Sequence, residues 1–192
     1  MSILNSIKES IATKEQFLAD ENNLELIQNV AEHCISAFKN DGKVLLCGNG
    51  GSASDAQHIA AELSGRFNYN RDPLYAEALH VNSSYVTAVA NDYSYDVIYS
   101  RMIKAAGKKN DVLIGITTSG NSANVVNALA EAKKQGMITV AFTGSKIGKV
   151  DDIVDICIKV PSVNTARIQE THILIGHVIC EVIETSLFPL SE

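Results

Sequence analysis

The chain of 192 residues has no apolar stretch approaching the roughly 18–20 residues that span a bilayer, so no membrane helix is expected. No run of prolines or serines interrupts it, and residues 1–192 read as a single domain. The amino end, Met1-Ser2-Ile3-Leu4-Asn5-Ser6, lacks a basic segment followed by an apolar one. Export is therefore not expected, and the cytoplasm is the expected compartment. Basic residues are few, 16 against 22 acidic ones, and the net charge of −6 argues against non-specific nucleic-acid binding through a basic surface. Long charge runs are absent while 46 % of the residues are apolar, which argues against disorder. There is no Cys-x-x-Cys pair. Cys34, Cys47, Cys157 and Cys180 lie far apart within apolar segments such as Val44-Leu45-Leu46-Cys47 and Ile156-Cys157-Ile158. Buried reduced thiols, not a disulfide framework, are the expectation.

What the chain does have is an ordered alternation. Residues 1–40 carry apolar side chains at helical spacing: Leu4, Ile7, Ile11 and Phe17-Leu18, then Leu24, Ile27, Val30, Ala31, Cys34, Ile35 and Phe38. Asp41-Gly42 ends this helical extension, as glycine commonly does past a helix terminus. Over 41–192 the pattern changes. Strand-length apolar runs at 43–47, 76–81, 111–116, 137–142 and 155–160 alternate with helical stretches at 53–63, 96–106 and 123–134. Continuously apolar strands between helices predict an α/β fold, a doubly wound parallel sheet of five strands covered on both faces. From Thr165 a long helical pattern runs through Ile168, Ile173-Leu174, Val178 and Val182-Ile183 until Pro189 closes it.

Ligands bind such sheets at the carboxyl ends of the strands, and two of these loops are unusual. The first strand empties into Gly48-Asn49-Gly50-Gly51-Ser52-Ala53-Ser54, and the strand at 111–116 into Thr117-Thr118-Ser119-Gly120-Asn121-Ser122-Ala123. Glycines let backbone N–H groups approach an anion at a helix N-terminus. The second loop adds the hydroxyls of Thr117, Thr118, Ser119 and Ser122. One hydroxyl suffices to cap the helix that follows. Four suit a phosphate monoester, whose terminal oxygens need several donors at once. A dinucleotide fingerprint in the first loop would need an acid about 20 residues on, at the end of the next strand, where the sequence reads His80-Val81-Asn82. Gly144-Ser145-Lys146-Ile147-Gly148-Lys149 is one residue short of a P-loop, and no Ser or Thr follows Lys149.

His58 and Glu62 are four apart and share a helix face, a spacing that serves one metal ion or a division of acid and base duties. It also serves an ordinary exposed His–Glu contact. The last helical pattern carries Gln169, His172 and His177. Gln169 and His177 stand roughly 12 Å apart along an ideal helix axis, so they share a ligand only if both lean inward. His172 lies about 140° round the helix from His177, so one of the two faces elsewhere. His33 and His80 have no companions and read as structural.

In their order along the chain, several motifs resemble those of bacterial phosphoheptose isomerases, which are sugar isomerase (SIS) domain enzymes. They are Cys47-Gly48-Asn49-Gly50-Gly51-Ser52, His58-x-x-x-Glu62-Leu63-x-Gly65-Arg66, Asn91-Asp92, Thr118-Ser119-Gly120-Asn121-Ser122 and Thr165-Ala166-Arg167-Ile168-Gln169-Glu170-x-His172. The resemblance spans nearly the whole chain and rests on the combination. It implies the flavodoxin-like SIS fold, a homotetramer with active sites at subunit interfaces, and conversion of sedoheptulose 7-phosphate to D-glycero-D-manno-heptose 7-phosphate. It implies one zinc ion (Zn2+) per subunit on residues matching His58, Glu62, Gln169 and His177. Substrate contacts would fall on Asn49, Gly50, Gly51, Ser52, Glu62, Asn91, Asp92, Thr117, Thr118, Ser119, Ser122 and Gln169. Catalysis would fall to Glu62 as general base and His177 as proton shuttle at oxygen, through an enediol. A site shared between subunits would draw on helices of different chains, which answers the reach between Gln169 and His177.

The sequence departs from the family pattern at Thr117, where serine is common, at Gly148-Lys149 in place of Gly-Gly, and over 76–84. Related SIS proteins that bind the replication initiator DnaA are an alternative, as is a SIS isomerase of another phosphosugar. Glu62, Asp92, Gln169 and His177 together favour the enzyme, because acid–base chemistry needs such groups. With a net charge of −6, the potential that attracts an anionic substrate must be local, from helix N-termini, zinc and Arg66.

Overall fold

Helices α1 (Ile3–Leu18) and α2 (Glu21–Lys39) open the chain, each started by a side-chain oxygen: Ser2 accepts the N–H of Asn5, and Asp20 that of Asn22. The computed structural model describes residues 2–190. α2 turns Ile27, Val30, Ala31, Cys34 and Ala37 inward. α1 presents its stripe the other way. Thr13 and Phe17 face the protein, while Ile3, Leu4, Ile7, Ile11 and Leu18 stay more than half exposed. Polar contacts hold α1 instead: Arg167 donates to the Ser6 carbonyl at 2.6 Å and the Ser10 hydroxyl to Glu170 at 2.7 Å.

Strands β1 (Val44–Gly48), β2 (Ala76–Ala78), β3 (Val112–Ile116), β4 (Ile138–Thr143) and β5 (Ile156–Lys159) form one parallel sheet in the order β2-β1-β3-β4-β5. In this flavodoxin-like order the winding reverses between β1 and β3, which opens a crevice at their carboxyl ends. Gly48 pairs with Ile116, so the two unusual loops leave the sheet side by side. Alternate strand residues feed two apolar layers. Val44 and Leu46 meet α2, α3 (Gly51–Ser64) and α7 (Thr165–Leu187) on one face. Leu45 and Cys47 meet α4 (Ser83–Asp92), α5 (Ile98–Ala106) and α6 (Ala123–Lys134) on the other. Among the described residues no helix is long and apolar enough to cross a membrane.

Several local expectations are corrected. The strand expected over 76–81 ends at Ala78, because Asn82 caps a helix instead, its side chain accepting the N–H of Tyr85. That helix, α4, buries only Val89 and so carries no apolar stripe to reveal it. The helix expected from residue 53 starts at Gly51, and the one expected from 96 begins as a 3-10 turn over Tyr95–Val97. Cys34, Cys47 and Cys180 are buried free thiols, but Cys157 is only half-buried. It lies on the edge strand, where Ile156 and Ile158 take the inner face and leave its thiol 3.5 Å from the Asp151 carboxylate. Burial pushes Cys47 and Cys180 up to about 12 and Cys157 to about 11, so none of these is a thiolate at neutral pH.

At the amino edge of the sheet Lys43 Nζ lies 2.6 Å from Asp111 Oδ2 in a buried ion pair, and Asp111 also accepts the N–H groups of Lys43 and Lys108. His172 is a further buried ionisable group. Its ring lies beside Phe142, Nε2 donates to the Thr143 carbonyl at 3.1 Å, and Nδ1 has no partner. Burial pulls its pKa down from 6.5 to about 4. Below pH 6.5 the unfolded chain takes up a proton that the folded one refuses until about pH 4, so the contribution is whole above this window and lost across it. The loss amounts to about 3 kcal/mol. Urea unfolding at pH 7.5 and 4.5 should show His172→Gln, which keeps a donor for Thr143, losing about 2–3 kcal/mol less than the wild type. Equal losses would show that His172 is not the group responsible.

Candidate active site

The glycine loop begins at Gly50, whose φ of +56° with ψ of −122° suits a residue without a side chain. Gly50 holds the N-cap position of α3 with no side-chain cap, and no hydrogen bond among the described residues uses the N–H of Gly50 or Gly51. These are free anion donors at a helix start. Ser52 is buried beneath the loop. Beside it, in the hydroxyl loop, Ser122 holds the N-cap position of α6 yet makes no capping bond. Its hydroxyl meets that of Thr117 at 3.0 Å, and Ser119 Oγ lies 3.5 Å from Thr117 Oγ1. Gly120, at φ +67°, packs against Gly148, where a Cβ would lie 2.6 Å from the Gly120 carbonyl oxygen. The Gly148-Lys149 departure therefore retains the glycine that this contact requires. A cavity of about 130 Å3 lies at this edge, lined by Thr118, Ser119, Ser145, Lys146, Ser162 and Thr165 among others.

The third part of the site is built by α3 and α7 lying side by side. Gln169 sits over Gly51, where a Cβ would come 2.6 Å from its Nε2. The Ile59 side chain fills the space a Cβ on Gly176 would need, so the missing side chain sets how closely the helices approach. This brings His177 against His58, with ring centroids 5.0 Å apart and edge-to-face, and His58 Nε2 stands 3.0 Å from Glu62 Oε1. One ligand atom from each of His58, Glu62 and His177 lies within 4.8 Å of the others. Phe67 covers the far side of His177 at 5.8 Å. All three groups come from one chain. Gln169 faces the glycine loop, about two turns before His177.

Asn91 and Asp92 end α4, exposed, with Asn91 Nδ2 donating to Asp92 Oδ1 at 3.0 Å. Three residues on, the Tyr95 hydroxyl reaches Asn49 Oδ1 at 3.1 Å, so the end of α4 borders the glycine loop. Arg66 is exposed, His33 is exposed on α2, and His80 is half-buried after β2 with an unpartnered Nδ1.

A family model, the SIS domain, matches residues 7–144. A phosphoheptose isomerase of Aneurinibacillus thermoaerophilus is 49 % identical over 186 residues, 97 % of this chain and 94 % of that protein. The chain belongs to the SIS-domain phosphoheptose isomerases. It is an isomerase. The solved phosphoheptose isomerase GmhA of Neisseria gonorrhoeae has a TM-score of 0.89 and 41 % identity, covering 95 % of this chain and 97 % of that one. A phosphoheptose isomerase of Francisella tularensis gives a TM-score of 0.90 and 37 % identity, covering 96 % and 100 %.

Two residues behind the histidine–glutamate cluster escape sequence reasoning. Arg71 and Glu184 form an ion pair at 3.2 Å with side chains 2 % and 1 % exposed. Glu184 also accepts the N–H groups of Phe67 and Asn68, and Arg71 donates to the carbonyls of Glu62, Leu63 and Gly65. The pair clamps the end of α3, with Glu62, to α7. A signal for it exists: Glu184 follows Ile183 on the inward stripe that includes Ile175 and Ile179, where an unpaired acid would be costly.

Proposed function

We propose that this isomerase converts sedoheptulose 7-phosphate to D-glycero-D-manno-heptose 7-phosphate in the cytoplasm, the first step toward activated heptose for lipopolysaccharide or capsule. The observation that carries the reading is the convergence of His58, Glu62 and His177 on the two helices whose starts flank the glycine loop. The glycine loop receives the sugar, helped by Asn91 and Asp92, while Thr117, Thr118, Ser119 and Ser122 receive the phosphate. Anchoring at the phosphate orients the open-chain sugar without taking part in bond changes. Glu62 takes the proton from C1 of the ketose and returns it to C2. His177 carries a proton from the C1 oxygen to the C2 oxygen, which completes the aldose.

Two imidazoles and a carboxylate within 4.8 Å fit zinc with an open position, and Gln169 is the candidate fourth ligand. When bound, zinc supplies a Lewis acid at the sugar oxygens. The apolar groove lined by Ile11, Phe17, Leu18, Leu24 and Leu174, continuous with the exposed face of α1, supports association of copies of this chain, for which a homotetramer is the proposed assembly.

Purified protein incubated with sedoheptulose 7-phosphate should yield the aldoheptose phosphate, lose activity with a chelator and recover it with zinc. Light scattering of the same sample should return four chains. Turnover that ignores the chelator would remove zinc from the reaction, no turnover under any metal condition would end the reading, and a one-chain mass would end the tetramer.

A further inference from the structure

Asn49 offers its side chain to the crevice from the turn between β1 and α3, and a partner fixes which way round that amide stands. Asn124, 2 % exposed in the first turn of α6, exchanges two hydrogen bonds with it. Asn49 Nδ2 donates to Asn124 Oδ1 and Asn124 Nδ2 donates to Asn49 Oδ1, both at 2.8 Å. A cyclic amide pair alone can be turned over at both ends without loss. Here the backbone N–H of Val125 breaks the symmetry, because it donates to Asn124 Oδ1 at 3.0 Å and an amide nitrogen cannot accept it. The Tyr95 hydroxyl, 3.1 Å away, is a second donor to Asn49 Oδ1. Both lone pairs of that oxygen are then in use, and one of the two Nδ2 hydrogens is spent on Asn124. A single N–H is left for a ligand.

We propose that Asn124 is a positioning residue that makes Asn49 a donor-only contact, aimed at an oxygen of the open-chain sugar phosphate that gains negative charge during isomerisation. The proposal rests on the isomerase reading above. A carbonyl or enediolate oxygen satisfies such a contact, whereas a hydroxyl is held only through its oxygen. The pair also ties the two loops together, since Asn124 lies two residues beyond Ser122 in the hydroxyl loop. A fixed donor of this kind needs no reorganisation as charge develops.

The test separates turnover from phosphate capture. Asn124→Asp keeps the size of the side chain and an acceptor for Val125 but sets a carboxylate oxygen against Asn49 Oδ1. Its kcat should fall roughly 10–100-fold, a part of the 10²–10³-fold that a charge-stabilising donor supplies. Asn124→Leu should fall as far. In Asn124→Leu the Kd for inorganic phosphate, which probes the hydroxyl loop, should stay within about two-fold, since the direct donors of that loop are untouched, whereas the charge that Asn124→Asp adds in the first turn of α6 weakens phosphate by repulsion. Tyr95→Phe removes an exposed hydroxyl that folding does not need, and its kcat should fall roughly 2–10-fold, the worth of one hydrogen bond. Wild-type kcat in Asn124→Asp, or a loss of phosphate affinity in step with kcat in Asn124→Leu, overturns the proposal. If both Asn124 variants fail to fold, Tyr95→Phe decides: unchanged kcat overturns the proposal and the expected loss supports it. A wild-type protein that does not isomerise the sugar phosphate overturns the isomerase reading itself, before any variant is compared.

Discussion

Glu62→Gln should lower kcat by roughly 10²–10⁴-fold, the range that a positioned general base supplies. The substitution keeps the volume of the side chain and its ability to hydrogen-bond His58, which stands 3.0 Å away. Its backbone carbonyl stays held by Arg71, so the end of α3 has no reason to move. What the amide lacks is a site for the carbon-bound proton. Calorimetry with inorganic phosphate should therefore give a Kd within about two-fold of wild type, because the hydroxyl loop is a separate anion site. Near-wild-type turnover would remove Glu62 from the base role. Metal content measured on the same variant separates the two duties proposed for this residue: lost turnover with zinc retained marks the base, and zinc lost together with turnover marks the ligand.

The second large effect falls on stability. Glu184→Ala should cost about 3–5 kcal/mol, because it leaves the Arg71 guanidinium buried without its counter-charge. The N–H groups of Phe67 and Asn68 lose their acceptor in the same stroke. Thermal unfolding should register a fall in Tm of roughly 6–20 °C for a chain of this size. Burial alone would raise the Glu184 pKa, but the two N–H donors and Arg71 outweigh it and hold the carboxyl below its ordinary range. Its contribution is therefore whole above the unfolded pKa near 4.5 and fades as the pH falls through the lower folded value. Glu184→Gln keeps the shape and one acceptor oxygen and should cost less. An alanine variant within about 1 kcal/mol of wild type would show that the clamp is replaceable by water, contrary to the cost expected of an unpaired buried charge.

The sheet was legible because parallel strands buried on both faces are largely apolar along their length, as β1 and β3 are throughout and β4 is apart from Thr139 and Thr143. α4 was not, since a helix with one buried residue leaves no period to detect. The α1 stripe gave the element and left its direction open: periodicity reports that a face is apolar, not what covers it. His58 and Glu62 were visible as a pair because four residues make one helix turn. The meeting of His177 with them came only from the family resemblance and not from spacing, since it depends on Gly176 admitting Ile59 across a helix interface. Asn124 and Arg71 were invisible for a related reason, because each acts through partners far away in sequence.

The distribution of these devices bears on how such a chain can evolve. Lys43, Asp111 and their partners stabilise the amino edge of the sheet, away from the loops, so changes there can alter robustness without altering chemistry. The carboxyl-edge loops offer the converse freedom. α7 offers neither, because Gln169, His172, His177 and Glu184 interleave groups of the site with groups of the core along one rigid rod. A lineage drifting toward a new substrate would rewrite its loops first and leave this helix almost untouched, since a gain in one of its roles is taxed at once in the other.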